Sequence, residues 1–313
     1  MTVIRTYKRD MKRAMDRIAA VPSQKLETRF GTIEYAEQGV GPPLLVAHGV
    51  LGCHVDGIDG WWANLAGPGF RVIAPSRFGY FGSTLPPDAS PADQADAYAL
   101  LLDHLGVDRV VAMGFSAGSA SVLEFARRHA DRVRGLILAS ARLGGGVTAN
   151  QLLAPVFRVA YGAERTFWTL KTLMPMTYAR MMGAPKRYRP GPDEVESLKG
   201  IREQLFPLRP RRDGAVFDGF VGNPVADRFP CEQLEVPTLI ISAKDDPLAP
   251  YAFAARVARR IPIAKLVTIE RGGHLFLGND DKVREEIQTF TMSALPTDSG
   301  DHEAGRRPAS VNR

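Results

Sequence analysis

The chain has 313 residues, 45% of them hydrophobic and 24% charged, a composition that excludes a disordered chain, a collagen-like repeat and a coiled coil. No run approaches the ~18 apolar residues of a membrane-spanning helix. The 40 basic and 34 acidic residues leave a net charge of +6, but the excess is local, with eight basic against three acidic residues in 1–29 and twelve against seven in 144–226. Patches of this kind are read as solvated faces, and no nucleic-acid partner is expected. Cys53 and Cys231 are the only cysteines. Two are too few for a disulfide framework or a cysteine-based zinc site, so a reducing compartment, the cytoplasm, is expected.

Residues 1–26 read as an N-terminal extension. Ile4, Tyr7, Met11, Met15 and Ile18 recur at three- and four-residue steps and predict an amphipathic helix. The stretch lacks the apolar core of a secretory signal, and Asp10 and Asp16 count against a transit peptide. Its apolar stripe carries no Trp or Phe, which interfacial helices favour, so no membrane contact is expected. The helix is expected to pack on the protein's own fold or on another subunit, which leaves a homo-oligomer open.

Strands are predicted at 27–30, 32–37, 43–47, 71–75, 109–113, 136–139, 238–242 and 265–270. The first two meet at Gly31 in a hairpin signal. The rest are continuous Val/Ile/Leu runs, the pattern of strands buried on both faces of a parallel sheet. Helical stretches at 91–105, 117–129, 251–261 and 280–295 alternate with them. The expected fold class is α/β, a mostly parallel, eight-stranded, doubly wound sheet. Its core spans 27–143 and 229–295. Between them, 144–228 holds no strand run but many large apolar residues, and it is read as an inserted helical cap. Residues 296–313 are polar and aperiodic and read as a disordered tail.

The strongest chemical signal is Gly114-Phe115-Ser116-Ala117-Gly118, between a predicted strand and a predicted helix. Strand, sharp turn and helix are the context of a nucleophile elbow, with Ser116 at the tip and helix N–H groups close by. A serine hydroxyl is a weak nucleophile without a base. Of six histidines, His274 stands in Arg271-Gly272-Gly273-His274, just beyond the last strand, at the sheet edge where α/β active sites lie. His104 and His129 lie in helical stretches and His302 in the tail. The base needs an acid to fix its tautomer. Asp245 and Asp246 both follow the seventh strand, and only one of them can meet the ring.

The order Ser116, Asp245 or Asp246, then His274, on a sheet with a helical insertion, resembles the α/β-hydrolase superfamily over roughly residues 27–293. The family pattern of an Asp, three residues and a Pro after the seventh strand matches Asp246 and Pro250, so the resemblance selects Asp246. Its His-Gly pair after the third strand matches His48-Gly49, which implies Val50 and Ala117 as oxyanion donors through their backbone N–H groups. His48 is then a loop-shaping residue beside the substrate pocket, not the base. Phe115, Trp168, Met174 and Met181 are candidate pocket walls, against the plainer reading of helix core. Two departures stand out. The stretch Ser76-Arg77-Phe78-Gly79-Tyr80-Phe81-Gly82-Ser83 lacks the Asp and the second Gly of the family's loop, and Val50-Leu51-Gly52-Cys53 is not the triple-glycine form of lipases.

The resemblance implies a serine hydrolase acting on a small-molecule ester or related acyl bond, with no metal or organic cofactor. A serine at the elbow sets the chain apart from the haloalkane dehalogenase and epoxide hydrolase branches, whose nucleophile is an aspartate. Carbon–carbon bond hydrolases of ring-fission products, cofactor-free haloperoxidases and a non-catalytic ligand-binding member are the alternatives.

Overall fold

The computed structural model describes residues 3–142, 151–186 and 188–295. The expected tail, 296–313, and the first residues of the expected cap, 144–150, lie outside them. The chain opens with helix α1 (Val3–Ala19), followed by strands β1 (Gln24–Thr28), β2 (Gly31–Gln38) and β3 (Pro43–Ala47). Two short helices, α2 (His54–Ile58) and α3 (Trp61–Ala66), precede β4 (Arg71–Pro75) and helix α4 (Pro91–His104). Then come β5 (Val110–Phe115), α5 (Ser119–Arg128) and β6 (Val133–Ala139). Six helices follow: α6 (Ala154–Gly162), α7 (Glu164–Leu173), α8 (Pro175–Met181), α9 (Pro192–Gln204), α10 (Arg212–Phe217) and α11 (Asn223–Asp227). The chain returns through β7 (Thr238–Ala243), α12 (Tyr251–Ala258), β8 (Ala264–Ile269) and α13 (Asp280–Ser293).

The eight strands form one sheet in the order β1-β2-β4-β3-β5-β6-β7-β8. Strand β2 runs antiparallel to both neighbours, and every other pair is parallel. Side chains alternate across the sheet. Leu45 of β3 and Val110 and Ala112 of β5 therefore face α4, α5 and α12 in one core. Leu44, Val46, Val111 and Met113 face α3 and α13 in the other.

Two strands begin three residues earlier than expected, β1 at Gln24 and β6 at Val133. Thr28 pairs with Gly31, so Arg29 and Phe30 form the turn and β1 lies about three residues earlier than the apolar pattern suggests. The turn reverses at Gly31 with φ +87°, a conformation glycine adopts without strain.

Helix α1 docks on the protein itself. The Tyr7 hydroxyl donates to Glu164 at 2.6 Å, Trp168 Nε1 donates to Asp10 at 3.1 Å and Arg17 donates to the Gln204 carbonyl at 2.8 Å. The docked face corrects the predicted stripe: Ala14 is buried, whereas Met15 is 50% exposed.

Candidate functional site

Strand β5 delivers Ser116 at the carboxyl edge of the sheet, and the turn there is sharp enough to strain it. Ser116 has φ +47°, a left-handed conformation unusual for a residue with a Cβ. The flanking glycines permit this. A Cβ on Gly114 would collide with Val122, and one on Gly118 would strike the carbonyls of Ala47 and His48. A single 3-10 turn, Ser116–Gly118, contains Ala117 and leads directly into helix α5.

Strand β8 ends nearby and the loop beyond it turns at Gly272 and Gly273. Asp245 accepts their N–H groups at 3.0 and 2.9 Å and so shapes this loop. Asp246 instead meets the histidine: its Oδ2 lies 2.8 Å from His274 Nδ1, while its Oδ1 accepts Leu248 N–H at 2.7 Å and Ala249 N–H at 2.9 Å. A carboxylate only accepts, so Nδ1 carries the ring proton and Nε2 is left as an acceptor. Ser116 Oγ lies 2.8 Å from that Nε2. The His274 backbone is pinned as well, because Ser140 Oγ donates to its carbonyl at 2.7 Å.

Beside Ser116 lies a cavity of about 100 Å³, lined by Gly49, Val50, Trp61, Trp62, Phe115, Met181 and His274 among others. Wider grooves of about 530 and 570 Å³ open elsewhere on the surface; the first shares Trp61 with the cavity, and neither contains Ser116 or His274. Of the residues nominated as pocket walls, Phe115 and Met181 line the cavity. His48, Trp168 and Met174 do not. The His48 ring turns inward, accepting the Arg77 N–H at 3.0 Å and packing edge-on against Tyr80 at 4.7 Å. Trp168 is covered by α1, its ring edge-on to Tyr7 at 5.4 Å. Met174, just before α8, is 53% exposed.

Sequence reasoning missed Trp61 and Trp62, which stand at the start of α3 with the Trp62 ring 3.3 Å from that of Phe115. A Trp-Trp pair in a stretch without periodicity was the available signal. It also missed Glu34 on β2, whose carboxylate holds the loop after β4 by accepting the Gly82 N–H at 2.9 Å. Burial pushes the Cys53 thiol up to about 12, so it is no nucleophile at neutral pH. Among the described residues, no group of three or more His, Cys, Asp or Glu side chains is placed to hold a metal ion. Nor is any helix among them long and apolar enough to cross a membrane.

Residues 42–281 match the family model described as alpha/beta hydrolase fold. The chain belongs to this family, and the protein is an α/β-fold hydrolase enzyme. It is 32% identical over 155 residues to an uncharacterized hydrolase, YcgS, of Bacillus subtilis, covering 49% of this chain but only 54% of that protein. It is 26% identical over 276 residues to homoserine O-acetyltransferase of Thermus thermophilus, covering 75% of this chain and 72% of the other. Among solved structures, an esterase from Exiguobacterium antarcticum superposes with a TM-score of 0.67 at 20% identity, over 87% of this chain and 100% of that one. At this identity the likeness speaks for the fold.

Proposed function

We propose that the protein is a serine hydrolase that cleaves a small-molecule ester or related acyl bond through an acyl-enzyme on Ser116. The observation that carries this reading is the hydrogen-bonded chain from Ser116 Oγ to His274 Nε2 and from His274 Nδ1 to Asp246, 2.8 Å at each link. Ser116 Oγ attacks the carbonyl carbon as His274 takes its proton. Asp246 stabilises the imidazolium that forms. The N–H groups of Val50 and Ala117 receive the oxyanion of the tetrahedral intermediate. His274 then passes its proton to the leaving alcohol. In the second half, water attacks the acyl-enzyme with His274 again as base, and the acid departs. Segment 144–228 serves as a cap over the core 27–143 and 229–295, bringing Met181 to the cavity wall. Both cysteines are free and buried, in keeping with a reducing compartment such as the cytoplasm.

A fluorophosphonate probe with short p-nitrophenyl esters tests the reading. Wild-type protein is expected to label and turn over, and Ser116→Ala to do neither. A wild-type protein that neither labels nor turns over any ester defeats it.

The relative named homoserine O-acetyltransferase favours a second reading, in which a hydroxyl acceptor replaces water in the second half. Supplying homoserine to the acylated enzyme separates the two. An O-acyl product formed faster than free acid supports transfer, and free acid alone supports hydrolysis.

A further inference from the structure

The peptide joining Gly49 to Val50 is held by an unusual number of partners. Its carbonyl oxygen accepts from Gly52 N–H at 3.1 Å, from His48 Nδ1 at 2.8 Å and from Arg77 Nη2 at 3.3 Å. A carbonyl oxygen has two lone pairs, so three donors, one of them a cation, crowd it. None of the side-chain donors is free to turn. His48 accepts the Arg77 backbone N–H on Nε2, which keeps its proton on Nδ1. Burial and the neighbouring Arg77 charge hold the His48 pKa well below its ordinary value, so the ring stays neutral. Arg77 is gripped by Asp218 through two bonds of 2.6 and 2.5 Å, and the Tyr80 hydroxyl donates to the same carboxylate. Arg77 is 2% exposed and Asp218 1%.

A buried ion pair of this kind carries a desolvation cost, and well-packed apolar residues often serve stability as well or better. Stability alone therefore gives little reason to aim a buried cation at one carbonyl. The geometry of the peptide supplies a reason. In a trans peptide the C=O and N–H point in opposite directions. With Gly49 O drawn toward Arg77, the Val50 N–H is turned to the other side. Gly49, Val50 and Ser116 line the cavity together, and a Cβ built on Gly49 would stand 3.4 Å from Ser116 Cβ. A cation on the oxygen also polarises the peptide and strengthens its N–H as a donor. Two residues further on, the Leu51 carbonyl is taken by a second buried arginine, Arg211.

We propose that Arg77, clamped by Asp218, is a positioning residue for the oxyanion site, fixing and polarising the Gly49–Val50 peptide so that its N–H meets the oxyanion. This rests on the acyl-enzyme reading above. Arg77 touches no substrate and acts through the peptide alone. Asp218 belongs to the segment between β6 and β7, so the seating of that segment is coupled to the reacting centre.

The test compares the unsubstituted 313-residue protein with R77K, R77M and R77M/D218N. The substrate is a short p-nitrophenyl ester, and the inhibitor is an alkyl trifluoromethyl ketone, which adds to a serine and leaves an oxyanion in the same site. Removing an oxyanion donor outright costs about 10²- to 10³-fold in kcat, so a donor kept but unclamped is expected to cost roughly 10- to 100-fold. R77M/D218N removes both buried charges together, which preserves folding better than stranding one. It is expected to lose that factor in kcat with KM nearly unchanged, to bind the ketone more weakly by the same factor and to keep the shape of its pH–rate profile. R77K is expected to recover part of the loss. A folded double variant with wild-type kcat and ketone affinity overturns the proposal, as does a raised KM with unchanged kcat. One arm needs no variant: in wild-type protein the Val50 amide proton resonance is expected to move downfield when the ketone adduct forms, and an unmoved resonance also overturns the proposal. A wild-type protein that shows neither ester turnover nor ketone adduct defeats the acyl-enzyme reading itself, an outcome distinct from both.

Discussion

The peptide N–H of His274 donates to the carbonyl oxygen of Gly183, 3.0 Å away. Gly183 follows α8, in the segment between β6 and β7, so a residue far from the sheet in sequence holds the backbone of the proposed base. The contact leaves no room for a side chain. Gly183 has φ +98°, and a Cβ there would collide with His274 Cβ. G183A is therefore expected to displace the imidazole. A shift of about 1 Å at a reacting group costs on the order of 10²-fold. Steady-state kinetics on a p-nitrophenyl ester should show that loss in kcat, with folding retained by circular dichroism.

The two neighbouring aspartates are expected to separate in their effects. D246N leaves the imidazole without its partner and should lower kcat by about 10⁴-fold, while S116A and H274A should cost about 10⁴- to 10⁶-fold. D245N touches only the Gly272 and Gly273 amides and should cost far less, about tenfold. Equal losses from D245N and D246N would reassign the acid.

Strands β3, β5 and β7 were legible because burial on both faces writes them as unbroken apolar runs. Ser116 and His274 were legible because each sits at a strand end in glycine-rich chain, although 158 residues separate them. Asp246 could be told from Asp245 only by resemblance, since spacing alone lets either reach the ring. Helices α2 and α3 were not legible because five or six residues are too few to display a helical period. The pairing of Arg77 with Asp218 could not be read at all. The two lie 141 residues apart, and each alone reads as an ordinary charged residue. Trp168 was misplaced because its apolar character says that it is covered, not by what. A cavity wall and the underside of α1 serve equally well.

The cavity volume makes a prediction about substrate. At about 100 Å³ it falls well below the roughly 300–1,000 Å³ of pockets for drug-sized ligands. Acetyl to butyryl esters are expected to be turned over at least tenfold faster, by kcat/KM, than octanoyl esters. Met181 lines the wall and is 43% exposed, so its truncation carries little folding cost. M181A should shift the optimum toward longer acyl chains. A flat chain-length profile in both proteins would count against the cavity as the acyl site.

Glu34 gives the fold an acid-sensitive element. Burial works to raise its pKa, but the bond from His54, the Gly82 N–H, the charge of His54 and the Ser23 hydroxyl outweigh it and hold the carboxyl down at about 2. A carboxyl with a lower pKa folded than unfolded stabilises the protein above its unfolded value, near 4.5, and that stabilisation is lost as pH falls toward 2. E34Q is expected to melt about 2–4 °C below wild type at pH 7. The two melting curves should converge as pH drops from about 5 to 2, measured by calorimetry across that range. A constant gap down to pH 3 would show that the bonds to Glu34 do not depend on its charge.

The docking of α1 bears on what the basic N-terminal extension does. Its exposed face carries Arg5, Lys8, Arg9, Lys12 and Arg13, and each basic residue near an anionic membrane is worth roughly 1 kcal/mol. Stable binding also needs an apolar face to bury in lipid. In this structure that face is already occupied: Tyr7, Met11 and Ala14 pack with Trp168 and Phe206, and Ile18 is buried with Val21 and Ala36. Undocking α1 would uncover that apolar surface and break the bonds to Glu164 and Gln204. The full-length protein is therefore expected to stay in the supernatant with anionic vesicles at ~0.15 M salt, where exposed charges are screened within about 8 Å. Deleting residues 1–21 should lower the melting temperature by roughly 6–10 °C, as a loss of about 3 kcal/mol would in a protein of this size. Strong vesicle binding by the full-length protein, with a truncated form as stable as the whole, would mean that α1 belongs to a membrane rather than to this fold.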